Sequence, residues 1–297
     1  MKGSFLKMNN NILVVDGMAL LFRHFYATSF RQQFMYNAYD RPTNAVQGVV
    51  RHVLKLVETL RPEQLIITWD MGSQTVRNEW FADYKKDRVA PPDELIPQFD
   101  YVKEVLDDLN MFQIGLKGYE ADDIIGTLSK TYKDIVIVSG DRDLLQLLDE
   151  DNALWLTKKG YTVYDQYTKA RFEAEHGITP DQFIDVKALM GDASDGYKGV
   201  KGIGEKTAFK LIREFGSVED LLLNLDQLTP AVRTKIETDI DSLKISHRLA
   251  RIITDVPIDL DLIESRSTLN ISKPEIQTIL DAHDLKISSK YVQTLDL

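Results

Sequence analysis

The run Ile135-Val136-Ile137-Val138-Ser139-Gly140-Asp141-Arg142-Asp143 sets four apolar residues directly before a small-residue turn and two acids. A continuous apolar run this short reads as a strand buried on both faces, since a half-exposed strand would alternate. Two runs of the same design lie upstream: Ile12-Leu13-Val14-Val15 before Asp16, and Leu65-Ile66-Ile67-Thr68-Trp69 before Asp70. Between them the apolar spacing turns helical. Ala45 to Leu60 carries Val46, Val49, Val50, Val53, Leu54, Val57 and Leu60 on one side, and Ile96 to Leu109 and Ala121 to Tyr132 are read the same way. Strands alternating with helices predict an α/β fold with a mostly parallel central sheet flanked by helices. In open sheets of this kind ligands bind beyond the carboxyl ends of the strands, so the three terminal aspartates are expected to converge on one crevice.

Further along, Leu154-Trp155-Leu156 and Tyr161-Thr162-Val163-Tyr164 flank Lys158-Lys159-Gly160 and predict a hairpin. From Thr168 onward the patterns are mostly helical. The expected organisation is an α/β domain over 1–175 and a helical region over 176–297. The stretch 72–92 has little apolar periodicity, carries Arg77, Lys85, Lys86 and Arg88, and ends in Pro91-Pro92, which predicts a loop or short helix over the crevice. The helical tail from Pro274 to His283 has no readable motif and is taken as packing.

The chain has 297 residues, 36 Lys+Arg against 46 Asp+Glu and a net charge of -10. With 43% hydrophobic residues it can bury a core, and a disordered or fibrous chain is excluded. The absence of cysteine excludes a disulfide scaffold, a Cys-ligated zinc site and a thiol nucleophile, and suits a reducing cytoplasm. The apolar run from Ile12 to Phe22 is broken by Asp16 and Gly17, so it reads as a strand rather than a signal peptide; Met8 offers an alternative start. No stretch approaches the roughly 18 apolar residues of a membrane span.

Nine acids stand out: Asp16, Asp70, Glu120, Asp122, Asp123, Asp141, Asp143, Asp192 and Asp195. Taken singly, each could be a helix cap or a solvated turn. Gathered at one crevice they would repel, and divalent cations would relieve the repulsion. Mg²⁺ or Mn²⁺ suits a shallow carboxylate site that keeps several waters, and two such ions about 4 Å apart are the arrangement that cleaves phosphodiesters. Setting nine of the 46 acids aside leaves 37 against 36 basic residues, so a polyanionic partner is allowed.

Gly199-Val200-Lys201-Gly202-Ile203-Gly204-Glu205-Lys206-Thr207-Ala208 runs into Phe209, Leu211 and Ile212 at helical spacing. Glycines let a backbone approach a ligand, and free amides at a helix N-terminus bind phosphate. The spacing is not Walker A, and no strand precedes it as a dinucleotide fingerprint requires. It fits the hairpin of a helix–hairpin–helix over about 180–215, with Pro180 to Met190 as partner helix and Lys198, Lys201, Lys206 and Lys210 crowding the element. A simple turn between helices is the alternative. Lys85 and Arg88, three apart, would share a helix face beside Tyr84. The five histidines have no zinc-ligand spacing.

In order, Val-Asp-Gly at Asp16, Trp-Asp at Asp70, Tyr-Lys-x-x-Arg at Tyr84 to Arg88, Glu-Ala-Asp-Asp at Glu120, Gly-Asp-x-Asp at Asp141, and Gly-Asp-x-Ser-Asp before the glycine-rich turn resemble the bacterial 5′ nucleases. That family includes flap endonucleases and the N-terminal 5′–3′ exonuclease domain of DNA polymerase I, and the likeness spans about residues 12–260. It looks most like the free-standing 5′–3′ exonucleases. The resemblance implies two metal clusters, Asp16, Asp70, Glu120 and Asp122 in the first and Asp141, Asp143, Asp192 and Asp195 in the second, with Asp123 near both or structural. It implies a helical arch over 72–92 whose Lys85 and Arg88 act on the scissile phosphate, with Arg77 at its base and Tyr84 beside the DNA. It implies a duplex grip by Lys198, Lys201, Gly202, Gly204, Lys206 and Thr207, and K⁺ on carbonyls near Val200 and Ile203. The implied partner is DNA with a 5′ flap or a 5′ end at a junction, cut by a cytoplasmic monomer in replication and repair.

Two departures are visible. Gly196-Tyr197-Lys198 and Lys201 stand where the family often has Asn-Ile-Pro and a proline, and Trp69 stands where many members have Phe. Two other readings remain: a catalytically silent junction binder, and an RNA-directed nuclease of the PIN type, which would lack the glycine-rich turn. An aspartyl-nucleophile phosphatase wants Asp-x-Asp at the first strand end, which Asp16-Gly17-Met18 does not supply.

Overall fold

The computed structural model describes residues 11–29 and 34–297; Met8 lies outside them. Six strands form one sheet: β1 (Ile12–Asp16), β2 (Gln64–Thr68), β3 (Gln113–Ile114), β4 (Ile135–Ser139), β5 (Asn152–Lys159) and β6 (Val163–Tyr167), in the order β3-β2-β1-β4-β5-β6. The first five are parallel, and only β6 runs antiparallel, as the hairpin partner of β5. Val14 lies opposite both Ile66 and Ile137, so the three acid-terminated strands are immediate neighbours with their carboxyl ends in line.

Continuous apolar strands need cover on both faces. On one face Leu13, Val15, Leu65, Ile67, Val136 and Val138 meet α1 (Gly17–Ser29), α2 (Asn44–Leu60) and α4 (Ile96–Asp108); α3 is the short helix Val76–Trp80. On the other face Val14, Ile66 and Ile137 meet α5 (Ala121–Thr131), and that core runs on without a break into α6 (Lys169–His176), α7 (Phe183–Met190) and α8 (Glu205–Phe215). Each of these fully buried Val, Leu or Ile side chains contributes roughly 1.5–3 kcal/mol relative to exposure.

The helical region expected over 176–297 is divided. Ile276, Leu280, Leu285, Val292 and Leu295, from helices Lys273–Ala282 and Lys286–Val292 and the residues around them, join the core of α2 and α4 rather than that of α7 and α8. Gln47 of α2 accepts the amides of Ile287 and Ser288, which pins the tail to the first half. The tail's apolar side chains complete the outer cover of α2, which is buried on nearly every side. No helix among the described residues is long and apolar enough to cross a membrane.

Candidate active site

The sheet delivers its acids to one edge. Asp16 closes β1 and is anchored twice, accepting from the amide of Ala19 at 2.9 Å and from the Ser139 hydroxyl at 2.7 Å. Asp70, just past β2, accepts from the amide of Ala121 at 2.7 Å, and so ties that strand end to the start of α5. Asp141 follows β4 and accepts from the amide of Asp143 at 2.7 Å. Asp16, Asp70, Glu120, Asp122 and Asp141 line a cleft of about 320 Å³ that Lys85 and Arg88 also face. Burial, and then the charges of Asp70 and Asp141, push the Asp16 carboxyl up to about 7. Asp122 is raised in the same way, by burial and by Asp141 and Asp16.

A second group of acids centres on a lysine. The Lys187 ammonium of α7 lies 2.7 Å from Asp143 and 2.5 Å from Asp192. Burial raises the Asp143 carboxyl, and the charge of Asp141 adds to it, to about 6 even with Lys187 in contact. Burial would raise Asp192 too, but Lys187 and Ser194 outweigh it and hold the carboxyl at about 2. Among the described residues no three carboxylate or imidazole side chains converge closely enough to grip one ion as they are placed. An ammonium stands among the carboxylates of both groups, Lys187 in the second and Lys85 in the first, 2.8 Å from Glu120. Sequence reading missed Lys187, although its place five residues before Asp192, near the end of the expected partner helix, was the available signal.

The basic segment is not a continuous helix. After α3, whose start is capped by the Thr75 hydroxyl, the chain makes successive turns, and Lys85 has a φ of 56°. Lys85 and Arg88 therefore share no helix face. They converge instead because the Lys85 amide donates to the Asp195 carbonyl at 2.9 Å and Arg88 donates to the Asp195 carboxylate at 2.8 Å. The Tyr84 hydroxyl is 3.2 Å from both Glu120 and Asp195, so it bridges the two acidic groups.

The 5′–3′ exonuclease N-terminal resolvase-like domain matches residues 11–177, and the 5′–3′ exonuclease C-terminal SAM fold matches residues 178–275. The chain is 47% identical to the 5′–3′ exonuclease of Bacillus subtilis (strain 168), over 97% of this chain and 98% of the relative. The chain belongs to the 5′–3′ exonuclease family. It is also 38% identical to DNA polymerase I of Streptococcus pneumoniae, over 92% of this chain but 31% of the polymerase. Among solved structures, T5 5′-exonuclease with bound divalent metal ions (zinc) shares the fold at a TM-score of 0.68 and 23% identity, covering 96% of this chain and 97% of that one. Flap endonuclease-1 from Methanococcus jannaschii shares it at 0.60 and 18%, covering 98% and 96%.

Within this family member three expected roles need correction. Asp123 is fully buried, and both its oxygens are taken by Arg77 at 2.7 Å each, so it is no metal ligand. Arg77, 2% exposed, points inward to Asp123 and to the carbonyls of Leu249 and Arg251, so it cannot touch DNA. Tyr84 is likewise buried, with its ring packed beside Ile184, Tyr197 and Leu249.

The glycine-rich turn joins α7 to α8. Gly191 and Gly199, both at positive φ, pack backbone to backbone; a Cβ on Gly199 would meet the Gly191 nitrogen at 2.4 Å. This closeness sets Asp192 and Tyr197 in mutual backbone hydrogen bonds and aims Asp192 at Lys187. Lys198, Lys201, Gly202, Gly204 and Lys206 are exposed, and Thr207 is half-buried. The Val200 and Ile203 side chains are buried, and the Val200 carbonyl accepts from the Ile203 amide at 3.0 Å.

Proposed function

We propose that this member of the 5′–3′ exonuclease family hydrolyses phosphodiester bonds of DNA near 5′ ends and single-strand/duplex junctions, using divalent cations held by its strand-end acids. The observation that carries the reading is the cleft where Asp16, Asp70, Glu120, Asp122 and Asp141 face Lys85 and Arg88. The donor set fits a hard cation: it is all carboxylate oxygen, and burial, with the charges of neighbouring acids adding to it, raises Asp16 and Asp143 toward neutrality, a charge deficit that Mg²⁺ or Mn²⁺ would supply. Beside the second group the Tyr197 hydroxyl is buried with no hydrogen-bond partner, a polar atom left for water or an ion's water shell. Asp16, Asp70, Glu120 and Asp122 would hold one ion, and Asp141, Asp143, Asp192 and Asp195 the other. Bound, such ions lower the pKa of a water and stabilise the leaving oxygen.

The chain's own residues do the rest. Lys85 and Arg88 now pair with Glu120 and Asp195, and a phosphate entering the cleft would take their donors and have its developing charge offset. Exposed Lys198, Lys201 and Lys206, with the free amides at the start of α8, would grip the duplex backbone; such contacts carry no sequence information, so shape selects the substrate. K⁺ near the Val200 and Ile203 carbonyls, a monomeric state and a cytoplasmic role in replication and repair belong to the same reading. The test is cleavage of a 5′-labelled flap duplex with Mg²⁺, with EDTA and with Asp192→Asn, beside a gel shift in Ca²⁺. Cleavage near the junction that needs both metal and Asp192 supports the reading; tight binding without cleavage makes this a silent junction binder.

A further inference from the structure

Lys187 is an unusual tenant of an acidic site. It is 5% exposed and rises from α7, where its neighbours Val186 and Ala188 are fully buried, so the backbone that carries it is fixed. Its ammonium joins two acids that no backbone hydrogen bond links: Asp143, past β4, and Asp192, in the turn after α7. The nearby Tyr197 hydroxyl is buried and unpartnered, so this corner has polar capacity that the ion pair does not use.

We infer that Lys187 is a built-in cation of the second acidic group, holding Asp143 and Asp192 together in the metal-free protein and competing with a divalent cation for them. A divalent ion entering between these carboxylates displaces or repels the ammonium, so the second ion binds more weakly than the first. Lys187 is a positioning residue here. The inference rests on the reading of these acids as metal-holding.

Mn²⁺ binding to the DNA-free protein, followed by electron paramagnetic resonance of the free ion, tests it with wild type, Lys187→Met and Lys187→Arg. Methionine keeps the apolar stem without the charge. The weaker Mn²⁺ site is expected to tighten at least about tenfold in Lys187→Met, since a unit charge a few ångströms away acts strongly even at an effective dielectric near 20. Lys187→Arg should stay near wild type. Unchanged or weaker binding in folded Lys187→Met overturns the inference. If Lys187→Met does not fold, wild type still decides: reductive methylation of Lys187, read by mass spectrometry, should run faster with Mn²⁺ than with EDTA, and an equal or slower rate overturns the inference. Absent cleavage with the Mn²⁺ effect intact would sink the nuclease reading alone; normal cleavage without the effect would sink only the counter-ion. No Mn²⁺ binding by wild type or variant would sink both.

Discussion

Arg77 and Asp123 face each other with both terminal guanidinium nitrogens 2.7 Å from the two carboxylate oxygens, and both side chains are buried. Asp123 also accepts from the amides of Glu120 and Ile253, and Arg77 donates to the carbonyls of Leu249 and Arg251. The pair therefore ties α3, the start of α5 and the segment after helix Ile240–Ala250 behind the cleft. Removing one partner leaves a buried charge alone, which costs about 3–5 kcal/mol. Arg77→Ala and Asp123→Ala should each lower the urea midpoint by that equivalent, whereas Asp141→Asn, at the exposed rim, should not. A small effect of Arg77→Ala on stability, with a large one on DNA binding, would restore Arg77 to the DNA surface.

How much of this was readable in the sequence follows from the range of each signal. β1, β2, β4, the β5–β6 hairpin, α2 and the strand-end acids were legible because apolar runs, helical spacing and their terminal residues are local, whereas the two-residue β3 carries no such run. The inward turn of Arg77 was not, since an arginine in a charged run looks solvated until Leu249 and Arg251, far along the chain, arrive over it. The same holds for the tail: Leu280 and Val292 show ordinary helical spacing, and nothing local says that they cover α2. The turn at Lys85 escaped for a different reason, because a non-glycine residue at positive φ carries no reliable sequence mark.

Lys85 separates binding from turnover. Its ammonium faces the cleft, while its backbone is held by Asp195. Lys85→Ala should lower single-turnover cleavage by roughly 100-fold or more, the scale for losing one preorganised donor to developing charge, with a smaller loss of junction affinity in Ca²⁺. Equal losses in both would make Lys85 a tether.

A buried chain of rings gives the acid side of stability a measurable source. His24 Nε2 lies 2.9 Å from His52 Nδ1, and His52 Nε2 lies 2.6 Å from the Tyr164 hydroxyl, which joins α1 and α2 to β6. Burial pushes His24 down to about 4 and His52 down to about 3. The unfolded chain therefore binds more protons than the folded one below about 6.5, and the pair's stabilisation, full above that pH, is lost as pH falls toward 3–4. The gap in unfolding free energy between wild type and His52→Asn should narrow from pH 7 to pH 4.5. A gap that stays constant across that range would show that the imidazoles do not titrate with unfolding.

The hairpin makes a prediction about salt. Lys198 and Lys201 are exposed on the turn that leads into α8 and Lys206 in that helix's first turn, and Lys206 carries no ion pair among the described residues. If each meets a phosphate, releasing that phosphate's counterion adds about 0.9 to the slope of log affinity against log salt. Lys206→Ala should therefore weaken duplex-junction binding in Ca²⁺ to a similar degree for unrelated sequences and flatten the slope by about one. Single-turnover cleavage at saturating protein should change little, because the residue grips DNA away from the strand-end acids. A loss of affinity with an unchanged salt slope would mean that the lysine supports the turn rather than the phosphate, and the grip would then rest on the backbone amides of α8.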